Sequence, residues 1–248
     1  MAWFWQRRPA ADAIDPQLWR QSAAGLPWLR ALDAARTARL RELVAAFLDS
    51  KTITPLQGLR LNDVQCTRLA TLCCLPLLEF GREGLHGWAQ LLVYPEAFRV
   101  QRSHQDAHGV LHEGADDLIG EAWEHGPVIL SWADVHADIA SPCEGYCVVA
   151  HEIAHKLDAL DGTLDGTPPL PRDWQREWAR DFQLAFDGLC TEVGAGRTPV
   201  IDAYAAESPE EFFAVCSELH FSDAATLRRA MPKVAAHLQR FYGQALLD

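Results

Sequence analysis

No apolar run in this sequence reaches the length of a membrane span. The longest candidate, "LATLCCLPLL", is short and interrupted by Pro76, so a spanning helix is excluded. Positive charge is scarce as well. Lys and Arg number 22 against 34 Asp and Glu, for a formal net charge of −12. Phosphate binding needs clustered basic side chains, so nucleic acid is excluded as the main partner. Paired cysteine motifs are missing too. The seven cysteines are Cys66, Cys73, Cys74, Cys143, Cys147, Cys190 and Cys216, an odd number with no CxxC pair. That argues against a disulfide framework and for a reducing compartment. The first residues, "MAWFWQRRPAADAID", lack the apolar stretch of a signal peptide. A soluble cytoplasmic protein is expected, its Trp- and Phe-rich start packed on the core. Internal repeats and low-complexity linkers are also absent.

What is present is enough apolar residue, 49% of the chain, to build a substantial core. "LPWLRALDAARTARLRELVAAFLDS" carries Leu29, Leu32, Leu40, Leu43, Val44, Phe47 and Leu48 at helical spacing. "NDVQCTRLATLCCLPLLEF" reads as a second, largely buried helix capped by Asn62 or Asp63. "WAQLLVYP", "AFRVQ" and "GPVILSW" read as short strands. "GYCVVAHEIAHKLDAL", "RDWQREWARDFQLAFDGLCTEV" and "SPEEFFAVCSELHF" return to helix, and "AATLRRAMPKVAAHLQRFYG" is a helix broken near Pro232. The expected fold is α+β, mostly helical with a small sheet. One domain over 1–248 is expected, with an N-terminal helical part to about residue 85 and a catalytic part after it.

The chemistry concentrates in "HEIAHKLD". Residues four apart in a helix lie about 40° apart around the axis, so His151 and His155 face one way and are spaced so that their two ring nitrogens can bind one metal ion. Glu152 lies about 100° round from His151. It sits badly for ligation but well for a nearby water, the role of a general base in a zinc peptidase. A chance HExxH arises in a chain this size on the order of a few times in a hundred, usually in loops or on exposed faces. This one falls inside a predicted helix. Asp158 lies three residues after His155, placed either to accept a ligand histidine's second ring N–H or to sit on the surface at a helix end. Cys147 lies one turn before His151, either as a thiolate ligand or as a small buried residue.

The third ligand is open on these grounds. Asp161, the last residue of HExxHxxDxxD, would imitate a peptidase pattern in which a glycine after the second histidine turns the chain back, but Asp158 stands at that position. Glu211 and Glu218 lie seven apart on one flank of the "SPEEFFAVCSELHF" helix, while Glu210 points to solvent. Glu211 also completes a capping box with Ser208, and Glu218 also reads as a solvated flank. His112 in "GVLHEG" is the remaining candidate, with a surface loop as its plain alternative.

"CLPLL", "VYPEAF", "GPVILSW", "HEIAHKLD" and "IDAYAAESPEEFFAVCSELHF", in this order, resemble the Mlc titration factor A family of zinc-dependent peptidases. The resemblance spans about Leu26 to Phe241. It implies a gluzincin-type peptidase with a core similar to that of anthrax lethal factor. It also implies one zinc ion held by His151, His155 and Glu211, with Glu152 as base and Tyr204 as oxyanion donor. His112 matches a histidine that closes the metal in a self-inhibited form. The implied substrate is a peptide, cut in aminopeptidase fashion. The implied regulatory partner is a transcriptional repressor of glucose uptake. The rival readings are a binding protein with a structural or vestigial zinc site, and a zinc hydrolase that is not a peptidase.

Overall fold

The computed structural model describes residues 14–96 and 126–247. The expected strand in "AFRVQ", the packing of the aromatic start and the placement of His112 lie outside these residues. Asp15 accepts from the Gln17 and Leu18 amides and starts helix α1, Pro16–Ala23, with Pro16 at its first position. Asp33 caps α2, Ala34–Ser50, whose buried residues are Leu40, Leu43, Val44 and Phe47, all members of the expected stripe. Asn62 and Gln65 form a reciprocal capping box at the start of α3, Asp63–Cys74.

The second helix was expected to run on through "LPLLEF", but α3 stops at Cys74. Pro76 has no N–H to give the Leu72 carbonyl, and the chain tightens into turns through Leu77 N–H to Cys74 and Leu78 N–H to Leu75. A short strand β1, Thr52–Pro55, and helix α1 carry too few residues for a periodic signal, and sequence reading did not find them.

Strand β2, Gln90–Tyr94, pairs in parallel with β1 on one side and with β3, Val128–Ser131, on the other. Parallel pairing needs crossovers, and α3 lies in the β1-to-β2 connection. Leu91 and Val93 of β2 and Val128 and Leu130 of β3 are fully buried.

Sequence reading assigned no helix or strand to "ADVHADIASP", the stretch after β3. There helix α4 spans Trp132–Ala140, capped by Ser131 Oγ accepting from the Asp134 amide at 3.1 Å. It buries only Val135, too little apolar patterning to betray a helix. Next come α5, Val148–Asp158; α6, Arg172–Gly194; α7, Pro209–Ser222; α8, Ala224–Ala230; and α9, Pro232–Tyr242. The break before Pro232 falls where its missing N–H demands it.

Helix α5 packs between β3 and α7. Its side toward the core carries Val149, Ile153, Ala154 and Leu157. Helix α7 is buried along its length, from Phe212 to Ser222. Trp178 of α6 is fully buried, stacked 4.0 Å from Phe182. The Trp28 indole donates to the Phe221 carbonyl at 2.6 Å, tying the N-terminal helices to α7. The architecture is a mostly helical α+β fold with a small parallel sheet. Among the described residues, no helix is long and apolar enough to cross a membrane.

Candidate metal centre

Helix α5 begins without a cap of its own. Cys147 occupies the N-cap position and makes no side-chain cap bond. The first amides of a helix have no partner within it, and burial makes that costly. Two carboxylates from other helices take their place. Glu218 Oε2 accepts from the Cys147 amide at 3.1 Å, and Asp138 Oδ2 from the Val148 amide at 2.8 Å. Burial, opposed by the bond from Val148, pushes the Asp138 carboxyl up to about 6.

One turn on, the His151 ring is buried and the His155 ring partly so. Their Nε2 atoms lie 3.2 Å apart. Glu211, at the third position of α7, brings Oε2 to 3.2 Å from His151 Nε2 and 3.6 Å from His155 Nε2. Helix α7 starts as the sequence suggested, with Ser208 Oγ accepting from the Glu211 amide at 3.3 Å. The capping role is therefore met by the Glu211 backbone, while the Glu211 side chain reaches α5.

Glu211 Oε2 is buried and makes no well-aligned hydrogen bond, despite its nearness to both rings. Three donor atoms thus converge on one point. Ligands about 2.0–2.1 Å from a tetrahedral ion stand about 3.3–3.4 Å from one another, close to the spacing here. His151, His155 and Glu211 form the group among the described residues that could hold a metal ion. The electrostatics agree. Burial lowers the His151 pKa, but Glu211 and Glu218 outweigh it and bring the ring up to about 10. Burial raises the Glu211 carboxyl, yet the two histidines hold it well below the usual carboxylate range. The site favours a positive charge at its centre.

Tyr204 sits in a short 3-10 helix, Ala203–Ala206, started by Asp202 accepting from the Tyr204 amide at 3.0 Å. Its ring centroid lies 6.3 Å from that of His151. Glu152 follows His151 on α5 and is partly buried.

The structure also places four other residues that the sequence singled out. Asp161 is exposed, and its Oδ1 accepts from the Thr163 amide and hydroxyl. Cys147 is buried with its thiol pKa pushed up by desolvation, so it is the small packed residue rather than a thiolate. Asp158 is fully buried but holds the Gly166 amide at 2.8 Å rather than a histidine. Burial raises its carboxyl to about 7, against the bonds from Gly166 and Thr167. Glu218 is no solvated flank: it is buried, with Oε1 2.6 Å from His151 Nδ1. The signal for that partnership was the seven-residue step from Glu211, which stacks both carboxylates on one side of α7.

Comparison with known proteins adds an independent line. A model of the family described as glucose-regulated metallo-peptidase M90 matches residues 1–243. Among curated relatives, Mlc titration factor A of Serratia proteamaculans (strain 568) is 37% identical over 246 residues, covering 98% of this chain and 92% of the relative. The protein of that name from Escherichia fergusonii is 35% identical over 245 residues, covering 98% and 91%. The one from Yersinia pestis (strain Pestoides F) is 36% identical over 246 residues, covering 98% and 89%. With this coverage and a site suited to a metal ion, the chain belongs to the glucose-regulated metallo-peptidase M90 family.

Proposed function

We propose that this protein is a zinc-dependent peptidase of aminopeptidase type, with His151, His155 and Glu211 as ligands to one zinc ion. The observation that carries the reading is the meeting of two imidazole nitrogens and an orphaned buried carboxylate oxygen beside Glu152. Two neutral imidazoles and one carboxylate suit zinc and leave a fourth position for water or substrate. Bound there, zinc supplies Lewis-acid polarisation of a peptide carbonyl and acidifies water. Glu152 takes the proton of the attacking water and delivers it to the departing amine. The Tyr204 hydroxyl donates to the oxyanion as the carbonyl becomes tetrahedral. An extended substrate pairs its backbone with β3. The N-terminal helices and the catalytic part act as one domain, a reading supported by the Trp28 bond to Phe221. A cytoplasmic location goes with the free cysteines among the described residues.

The test is Glu152→Gln on aminoacyl reporter substrates with bound zinc measured in the same sample. Turnover should fall by at least about 100-fold while zinc stays bound. Unchanged turnover would refute the role given to Glu152.

A second, regulatory reading has support in the name carried by the relatives, Mlc titration factor A. On this reading the chain also binds a transcriptional repressor. Binding that survives both Glu152→Gln and zinc removal would separate this role from catalysis.

A further inference from the structure

Both oxygens of Glu218 are engaged at the metal helix. Oε1 lies 2.6 Å from His151 Nδ1, and Oε2 accepts from the Cys147 amide at 3.1 Å. Glu218 is 3% exposed, so neither contact competes with bulk water. An ionised carboxylate only accepts hydrogen bonds, so the proton of this contact belongs to His151 Nδ1. The neutral ring then has its lone pair on Nε2, the atom 3.2 Å from both His155 Nε2 and Glu211 Oε2. Glu218 also brings a negative charge to the N-terminus of α5, where the helix dipole favours one. Seven residues are two helical turns, so Glu211 and Glu218 leave α7 on the same side. One side of α7 therefore presents both a ligand and the group that orients another ligand.

We propose that Glu218 is a positioning residue of the metal centre. It fixes the tautomer and ring angle of His151 while replacing the N-cap that α5 lacks. The proposal rests on the reading of His151, His155 and Glu211 as zinc ligands. It assigns Glu218 a role outside the metal's own coordination, where sequence reading had left it as a rival ligand or a surface flank. Asp138 supplies the internal comparison. It caps the next amide, Val148, at 2.8 Å and has no hydrogen bond to His151. A residue that only stabilises the helix start should behave like Asp138, whereas one that orients His151 should not.

The experiment compares full-length wild type, Glu218→Gln and Asp138→Asn by zinc titration against a competing chelator, with thermal unfolding of the zinc-free forms alongside. A glutamine can satisfy only one of the two donors, because its NH2 cannot accept. Zinc affinity should fall about 10- to 100-fold in Glu218→Gln and stay within about threefold in Asp138→Asn. Equal losses in the two variants, or a change within about threefold in Glu218→Gln, would overturn the proposal. A second measurement needs no variant. Nitrogen-15 NMR of the histidine rings in zinc-loaded wild type should find the His151 proton on Nδ1. A proton on Nε2, with Nδ1 on the metal, would overturn it as well. If His155→Ala binds zinc as tightly as wild type, the metal reading itself fails and takes this proposal with it. That outcome differs from a failure confined to Glu218.

Discussion

Gly166 lies so close to Pro209 that a Cβ on it would stand 2.4 Å from the Pro209 carbonyl oxygen. The Gly166 amide is held by Asp158 at the end of α5, and its carbonyl accepts from the Trp178 indole at 3.1 Å. Pro209 opens α7, two residues before Glu211. A single glycine thus joins the end of the helix that carries the two histidines to the start of the one that carries Glu211. Its φ of +78° adds a backbone requirement to the steric one.

Gly166→Ala should therefore destabilise the fold by at least about 2 kcal/mol, from left-handed backbone strain and displacement of the α7 start. Urea denaturation of the zinc-free protein checks the stability. Zinc titration should show weaker binding as Glu211 shifts. Wild-type values in both measurements would contradict the clamp.

Trp178→Phe retains most of the aromatic packing against Phe182 but leaves the buried Gly166 carbonyl without its indole donor. A loss of about 1–3 kcal/mol is expected in equilibrium unfolding, against about 3–5 kcal/mol for Trp178→Ala. Equal costs for the two variants would show that ring packing alone matters.

Zinc should stabilise the native state by mass action. The donor group is assembled only when α5 and α7 pack, so the unfolded chain lacks it. At free zinc 100 times Kd the gain is about 2.7 kcal/mol, and a chelator should remove it. Thermal unfolding with graded zinc measures this directly.

His220 of α7 gives the stability a defined acid limb. Burial, helped by Arg228, pushes its ring down to about 4 from an ordinary 6.5. The folded state then binds fewer protons than the unfolded state between those values. The contribution is complete above about pH 6.5 and is lost as pH falls toward 4, amounting to about 3 kcal/mol at the low end. Denaturant midpoints of wild type and His220→Gln, compared from pH 4 to 7, should diverge in slope. Parallel curves would contradict the assignment.

The helical spacing of His151 and His155 was legible because it depends only on the period of one helix. Glu211 was harder to read, since its local sequence serves equally as a capping box, and only its packing against α5 distinguishes the two uses. Glu218 was misread for a related reason. Every residue of α7 from Phe212 to Ser222 is buried, so the helix has no polar face against which a flank could be judged. The place of Asp158 on its helix left it between a histidine partner and the surface, but the chain folds back to offer it the Gly166 amide. Helix α4 and strand β1 escaped because nine and four residues give periodicity too little length.

The central claim is that the third metal ligand comes from α7 and not from the segment just after α5. Zinc content after dialysis against a moderate chelator, measured on wild type, Glu211→Ala and Asp161→Ala, tests it directly. About one zinc per chain should remain in wild type and in Asp161→Ala, while Glu211→Ala should lose most of it. Full retention in Glu211→Ala with loss in Asp161→Ala would contradict the account.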